Sequence, residues 1–136
     1  MTPALTDGDA MSSEDYRTHI EEPKNETQFQ DWIIIEAIEA GWPEEFIYHT
    51  RNSRGSRKGY PDLSMVHPDY AIGLKAELKM PKGKIEPEQI AMLAAWDKVP
   101  GVDAFLWLPE DRREIIDVLS DPSHRPEARR WHKYVS

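Results

Sequence analysis

Gly59-Tyr60-Pro61-Asp62-Leu63, followed fifteen residues after Asp62 by Glu77-Leu78-Lys79, is the stretch whose reading decides the fold. The residues between the two acids suffice for two strands and a tight turn. Asp62 to Val66 reads as one strand and His67-Pro68-Asp69 as the turn. Ala71 to Met80 reads as the second strand, with Ile72, Leu74, Ala76 and Leu78 alternating against Gly73, Lys75, Glu77 and Lys79. Residues two apart on a strand face the same side, so Glu77 and Lys79 point together while Leu78 turns into the core. The pairing sets Asp62 beside Glu77, and everything built on it requires the two acids to share one side of the sheet.

Outward from this hairpin, the pattern changes period. Asn25 is a suitable cap for a helix in which Phe29, Ile33, Ala37 and Ala40 recur at helical spacing, widened by Trp32, Ile35 and Ile38. Gly41-Trp42-Pro43 ends it. Phe46 to Thr50 reads as a strand, and the glycine-, serine- and arginine-rich run from Asn52 to Gly59 as a loop. Pro81-Lys82-Gly83-Lys84 breaks the lysine strand. A helix is expected from Pro87 to Lys98, a buried strand from Asp103 to Leu108, a helix from Glu110 to Leu119 and a last helix from Pro126 to about Tyr134. The order of elements predicts an α/β fold: a mixed sheet of about four strands flanked by helices.

The chain has 136 residues, the size of one domain, and carries no cysteine, which excludes disulfides and thiolate-held zinc or iron–sulfur sites. Residues 1–24 are polar, acidic and without apolar periodicity, and are read as a disordered or loosely attached tail preceding a domain over 25–136. No run is apolar enough to enter a membrane and no secretory leader is visible, so a cytoplasmic location is expected by default. The net charge of −8 argues against a generally basic nucleic-acid binder. Its distribution is uneven, however. Basic residues gather at Arg51, Arg54, Arg57 and Lys58, at Lys75, Lys79, Lys82 and Lys84, and at Arg125, Arg129, Arg130 and Lys133, and such local patches can bind phosphate.

Two neighbouring carboxylates, with the backbone carbonyl of Leu78 as a further oxygen, make a hard site that suits Mg²⁺ or Mn²⁺. Such an ion polarises a phosphoryl oxygen and activates water. The Lys79 ammonium beside them, expected to stay charged unless the site is dry, would stabilise a phosphorane-like transition state or orient the attacking water. Taken singly, the pieces are common: Pro-Asp usually marks a turn, and Glu-X-Lys on a strand is often a solvated face. The hairpin spacing, the strand context and the preceding basic loop make them agree. No Ser/His/Asp elbow, Walker loop or dinucleotide fingerprint appears, so no organic cofactor is expected. His49 and His67 lack the paired spacing of zinc ligands, and His67 in a turn is expected in solvent. Trp42, Trp96 and Trp107 are expected in the core.

In order and spacing, Glu26-Thr27-Gln28-Phe29-Gln30, then Arg57-Lys58-Gly59-Tyr60-Pro61-Asp62-Leu63, Glu77-Leu78-Lys79-Met80-Pro81-Lys82-Gly83, Pro87-Glu88-Gln89 and Gly101 to Leu108 resemble the VRR-NUC domain family of PD-(D/E)XK nucleases. The resemblance covers about Asn25 to Leu119; the long acidic N-terminal tail departs from it. It implies a restriction-endonuclease-like fold and metal-dependent hydrolysis of DNA, often at branched or flapped structures. The products would be a 5′-phosphate and a 3′-hydroxyl. It further implies that Asp62, Glu77, Glu26 and Leu78 surround the metal, Glu26 directly or through water. Lys79 and Gln89 would complete the catalytic group, with Gln30 supporting Glu26 from one turn on. Small standalone members of the family imply a homodimer of the Holliday-junction-resolvase type.

The plain alternatives remain beside these roles. Glu26 is also what a helix dipole favours in a first turn, and Gln89 also suits a helix surface. Tyr60 could stack on a base or pack over the hairpin. Glu36, Glu39, Glu86 and Glu88 read as solvated charges. Arg51, Arg54, Arg57 and Lys58, with Lys82 and Lys84, are assigned to the DNA backbone. The rival functional reading is a catalytically idle nuclease-fold module that binds nucleic acid or a replication or repair partner. A sequence-specific restriction-type enzyme is disfavoured by the shortness of the chain.

Overall fold

Asn25 caps the first helix in the computed structural model of the protein, which describes residues 22–50 and 58–135. Its side-chain oxygen accepts from the Gln28 amide at 2.9 Å, satisfying one of the donors a helix start leaves open. Helix α1 (Glu26–Glu39) buries Phe29, Gln30, Trp32, Ile33 and Ala37. The chain reverses at Gly41, whose φ of 105° suits glycine. The Trp42 amide returns to the Ala37 carbonyl at 3.0 Å, and Pro43 prevents continuation.

A single turn of 3-10 helix (Glu44–Phe46) leads into β1 (Ile47–His49). Further along come β2 (Leu63–His67), a 3-10 turn (Pro68–Tyr70) and β3 (Ile72–Leu78). Helix α2 (Pro87–Asp97) carries the chain across to β4 (Val102–Trp107), and α3 (Arg112–Ser120) follows. The sheet has the order β1-β2-β3-β4. β1 and β3 run antiparallel to β2, and β4 runs parallel to β3. Among the described residues the architecture is therefore α/β, a four-stranded mixed open sheet with three α-helices. No described helix is long and apolar enough to cross a membrane.

Alternation along the strands sorts side chains onto two faces. Leu63, Met65, Leu74, Ala76, Leu78, Phe105 and Trp107 join α1 and α3 in the larger core, where Trp42 also lies. The Trp42 indole donates to the Leu119 carbonyl at 3.0 Å, tying the end of α1 to α3. Ala104 and Leu106 face the other way, under Ile90 and Leu93 of α2 and Trp131. Each large side chain so buried contributes roughly 1.5–3 kcal/mol relative to exposure.

Four expectations change. The segment from Pro126 forms no α-helix, only a 3-10 stretch (Arg130–Tyr134). The C-terminal arginines do not form a free phosphate-binding patch. Arg129 is buried against Asp97 and Asp103 at 3.2 and 3.3 Å, Arg125 pairs with Asp103 at 2.7 Å, and Arg130 with Asp111 at 2.6 Å. Here β4 is an edge strand, and the segment covers it: the Ala104 carbonyl accepts from Arg129 at 3.0 Å and from the Trp131 indole at 2.8 Å. His67 is buried, edge-on to Trp42 and Tyr70, because it ends β2 on the core face. Trp96 is only half-buried, unlike Trp42 and Trp107.

Candidate functional site

Register does the first work. Leu63 pairs with Ala76 and Ser64 with Lys75, so one step further along the same ladder sets Asp62 opposite Glu77. Leu63 and Ala76 belong to the larger core, so by alternation Asp62, Ser64, Lys75 and Glu77 share the opposite face. The Asp62 backbone is pinned on both sides: its carbonyl accepts from the Thr50 amide at 3.0 Å and, more weakly, from Gln30 Nε2 at 3.4 Å. Gln30 thus comes from α1 to fix the Asp62 backbone rather than to support Glu26. Oδ2 of Asp62 accepts from the Leu78 amide at 3.0 Å, which turns the carboxylate toward β3.

Glu77 is 3% exposed, a carboxyl group almost wholly withdrawn from water. Oε2 accepts from Gln89 Nε2 at 2.9 Å and lies 3.9 Å from Lys79 Nζ. Gln89 is itself held, because its Oε1 accepts from the Glu86 amide at 2.9 Å across the start of α2. The glutamine therefore touches Glu77 directly. Oε1 of Glu77 is buried and accepts nothing from a charged or neutral donor among the described residues. Asp62 stands opposite Glu77 in the ladder, so two like charges face one another across the strands.

Burial first, and the Asp62 charge second, push the Glu77 carboxyl up to about 9; Lys79 acts the other way but is outweighed. Glu26, at the first turn of α1, also reaches Asp62. Its carboxyl rises to about 7 for the same two reasons in the same order. Glu26 is exposed as a residue, so water screens part of that effect. The buried Glu77 carries the electrostatic argument.

Gly59 explains how the loop before Asp62 meets the helix that brings Gln89. Its φ is +89°, and a Cβ there would lie 2.8 Å from the backbone carbon and oxygen of Glu88. Only glycine lets the two backbones approach so closely. Lys58 beside it is exposed and pairs with Glu88 at 3.4 Å. Lys82 and Lys84 are exposed on the turn after Lys79, and Lys84 pairs with Glu86 at 3.8 Å. Arg51, Arg54 and Arg57 lie outside the described residues. Tyr60 packs over the hairpin, its hydroxyl accepting from Lys75 at 3.0 Å. His49 pairs with Leu63 and so sits on the face away from Asp62.

A cation would find a small but suitable donor set. Among the described residues no group of three or more His, Cys, Asp or Glu side chains is arranged to hold a metal ion alone. Asp62 and Glu77 supply two carboxylates, and Mg²⁺ characteristically takes only one or two, keeping several waters. The partnerless Glu77 Oε1 and the raised carboxyl are what a site lacking its positive charge presents. The sequence reasoning missed the Lys75–Tyr60–Ser64 group and the Asp62–Leu78 amide bond. The first was available from the register: if Asp62 opposes Glu77, Ser64 opposes Lys75. No family model matches this chain, and neither the curated proteins nor the solved structures compared with it gave a match.

Proposed function

We propose that this chain is a divalent-cation-dependent deoxyribonuclease with a restriction-endonuclease-like PD-(D/E)XK sheet of the VRR-NUC kind, directed to branched, flapped or junction DNA. The observation that carries the reading is Glu77: a buried carboxylate directly across the sheet from Asp62, with one oxygen unpartnered and a lysine on the same face. A solvated Glu-X-Lys surface pair would be neither buried nor matched by a second acid.

Asp62 and Glu77, with the Leu78 carbonyl and Glu26 as the resemblance implies, would hold Mg²⁺ or Mn²⁺, which supplies Lewis acidity toward a phosphoryl oxygen and makes water easier to deprotonate. Every other part belongs to the chain. The Leu78 amide holds Asp62 by one oxygen, and Gln89 holds Glu77 by one oxygen. Both carboxylates are thereby oriented before substrate arrives. Lys79, half-buried, presents its ammonium beside them to charge that grows on the phosphoryl oxygens. Water attacks phosphorus in line, the 3′ oxygen departs, and the products carry a 5′-phosphate and a 3′-hydroxyl.

The test is cleavage of linear, nicked, flapped and four-way DNA with Mg²⁺ or Mn²⁺, beside the mass of the protein in solution. Asp62→Ala and Lys79→Ala are each expected to abolish cleavage with the fold intact. Full activity in either variant refutes the assignment. Binding without cleavage on the whole panel would favour the idle, nucleic-acid-binding module. A junction-resolving homodimer requires two copies in the measured mass.

A further inference from the structure

Lys75 is half-buried and, among the described residues, has no carboxylate paired with it. Its ammonium donates to the Tyr60 hydroxyl and to Ser64 Oγ, each at 3.0 Å, and stands 4.1 Å from the centre of the Trp96 ring. None of the ion pairs among the described residues includes it. A lysine whose only task was to cover the sheet would normally keep its head in water. This one is drawn inward by two neutral oxygens and an aromatic face, with no ion pair among the described residues. The charge is therefore available to an anion that reaches the sheet.

Its position says which anion. Ser64 and Lys75 form the cross-strand pair next to Asp62 and Glu77, on the same face, one two-residue step (about 6.7 Å) along the strands. That step is comparable with the spacing of successive phosphates along a nucleic-acid strand. The row opens to solvent at its β1 end, where Tyr48, paired with Ser64, is 63% exposed.

We infer that Lys75, held by Tyr60, Ser64 and Trp96, is a binding subsite for the phosphate adjacent to the one that is cut. Lys75 supplies charge and one direction of approach, and Tyr60 and Ser64 fix where the ammonium points. The subsite acts on binding and register, whereas Lys79 acts on the reacting phosphate. This inference rests on the nuclease reading of the neighbouring acid pair.

The experiment is equilibrium binding of a fluorescent flapped DNA in Ca²⁺, with single phosphates around the branch replaced one at a time by uncharged methylphosphonates. The wild-type protein should lose about tenfold in affinity at one position flanking the cleaved linkage, as expected for one charge-assisted contact. Lys75→Met should bind the all-phosphate DNA about tenfold more weakly and be indifferent to that replacement. Its salt dependence should be shallower by about 0.7–0.9 in log–log slope, the signature of one lost phosphate contact. Lys75→Arg should recover the slope, which a purely structural defect in the methionine variant would not allow. Unchanged affinity and slope in Lys75→Met overturn the inference and leave the nuclease reading standing. Absence of DNA binding by the wild-type protein overturns both.

Discussion

Replacing Glu77 by glutamine should stabilise the metal-free protein at neutral pH. The side chain keeps its shape, can still accept from Gln89, and offers Asp62 a neutral amide in place of a second negative charge. In the folded chain the Glu77 carboxyl is held up to about 9 from an ordinary 4.5. Below 4.5 both folded and unfolded forms carry the proton, and nothing is lost. Between 4.5 and 9 the folded form binds one proton more than the unfolded form, so stability falls as pH rises, by about 1.4 kcal/mol per unit. At pH 7 the deficit is about 3 kcal/mol. It is set by how far pH 7 lies above the unfolded value, and so is insensitive to the folded value once that exceeds 7. Glu77→Gln should remove it. Urea unfolding in EDTA, from pH 5 to pH 8, should show the variant more stable by about 3 kcal/mol at pH 7, with the gap closing toward acid. Mn²⁺ should stabilise the wild type more strongly as pH rises and leave the variant unaffected. Parallel pH profiles, or a variant less stable at pH 7, would refute the picture of a buried protonated carboxyl.

Gly59→Ala should cost about 1–3 kcal/mol in thermal unfolding, because φ is +89° and the new methyl group meets the Glu88 backbone. It should also lower cleavage by separating Asp62 from Gln89. Asp103→Ala should destabilise by about 3 kcal/mol or more, since it leaves the buried Arg129 and its neighbour Arg125 short of a carboxylate. Denaturant titration reads this directly, with activity per folded molecule unchanged. Neutralising Lys82 and Lys84 together should flatten the salt dependence of DNA binding by about two phosphate contacts while kcat is retained. An unchanged slope would remove both from the DNA interface.

Legibility in the sequence followed distance along the chain. The hairpin, the face shared by Asp62 and Glu77, and the bounds of α1 and α2 are local patterns of period two or 3.6 with caps and breakers beside them. They could be read from Asn25, Gly41 and the alternation around Glu77. The arginine network joining Asp97, Asp103 and residues 125–130 has no such pattern. Its partners meet only once β4 has formed, so Arg129 looked like a free surface charge. His67 misled because a Pro-Asp turn follows it, whereas strand parity put its ring on the core side. Gln30 lies one turn from Glu26 on the helix, yet its amide is claimed by the Thr50 and Asp62 carbonyls, at 3.5 and 3.4 Å. Helical spacing alone cannot foresee a competitor from another element.

The cover over the last strand has a consequence for synthesis. Arg129 and Trp131, whose donors close the Ala104 carbonyl, follow β4 in the chain and leave the ribosome after it. Until they arrive, a nascent chain presents an unfinished hydrogen-bonding rim at which a second nascent chain could add its own backbone. Chains truncated just after α3, and so lacking Arg129 and Trp131, should thus yield insoluble material rather than a working protein.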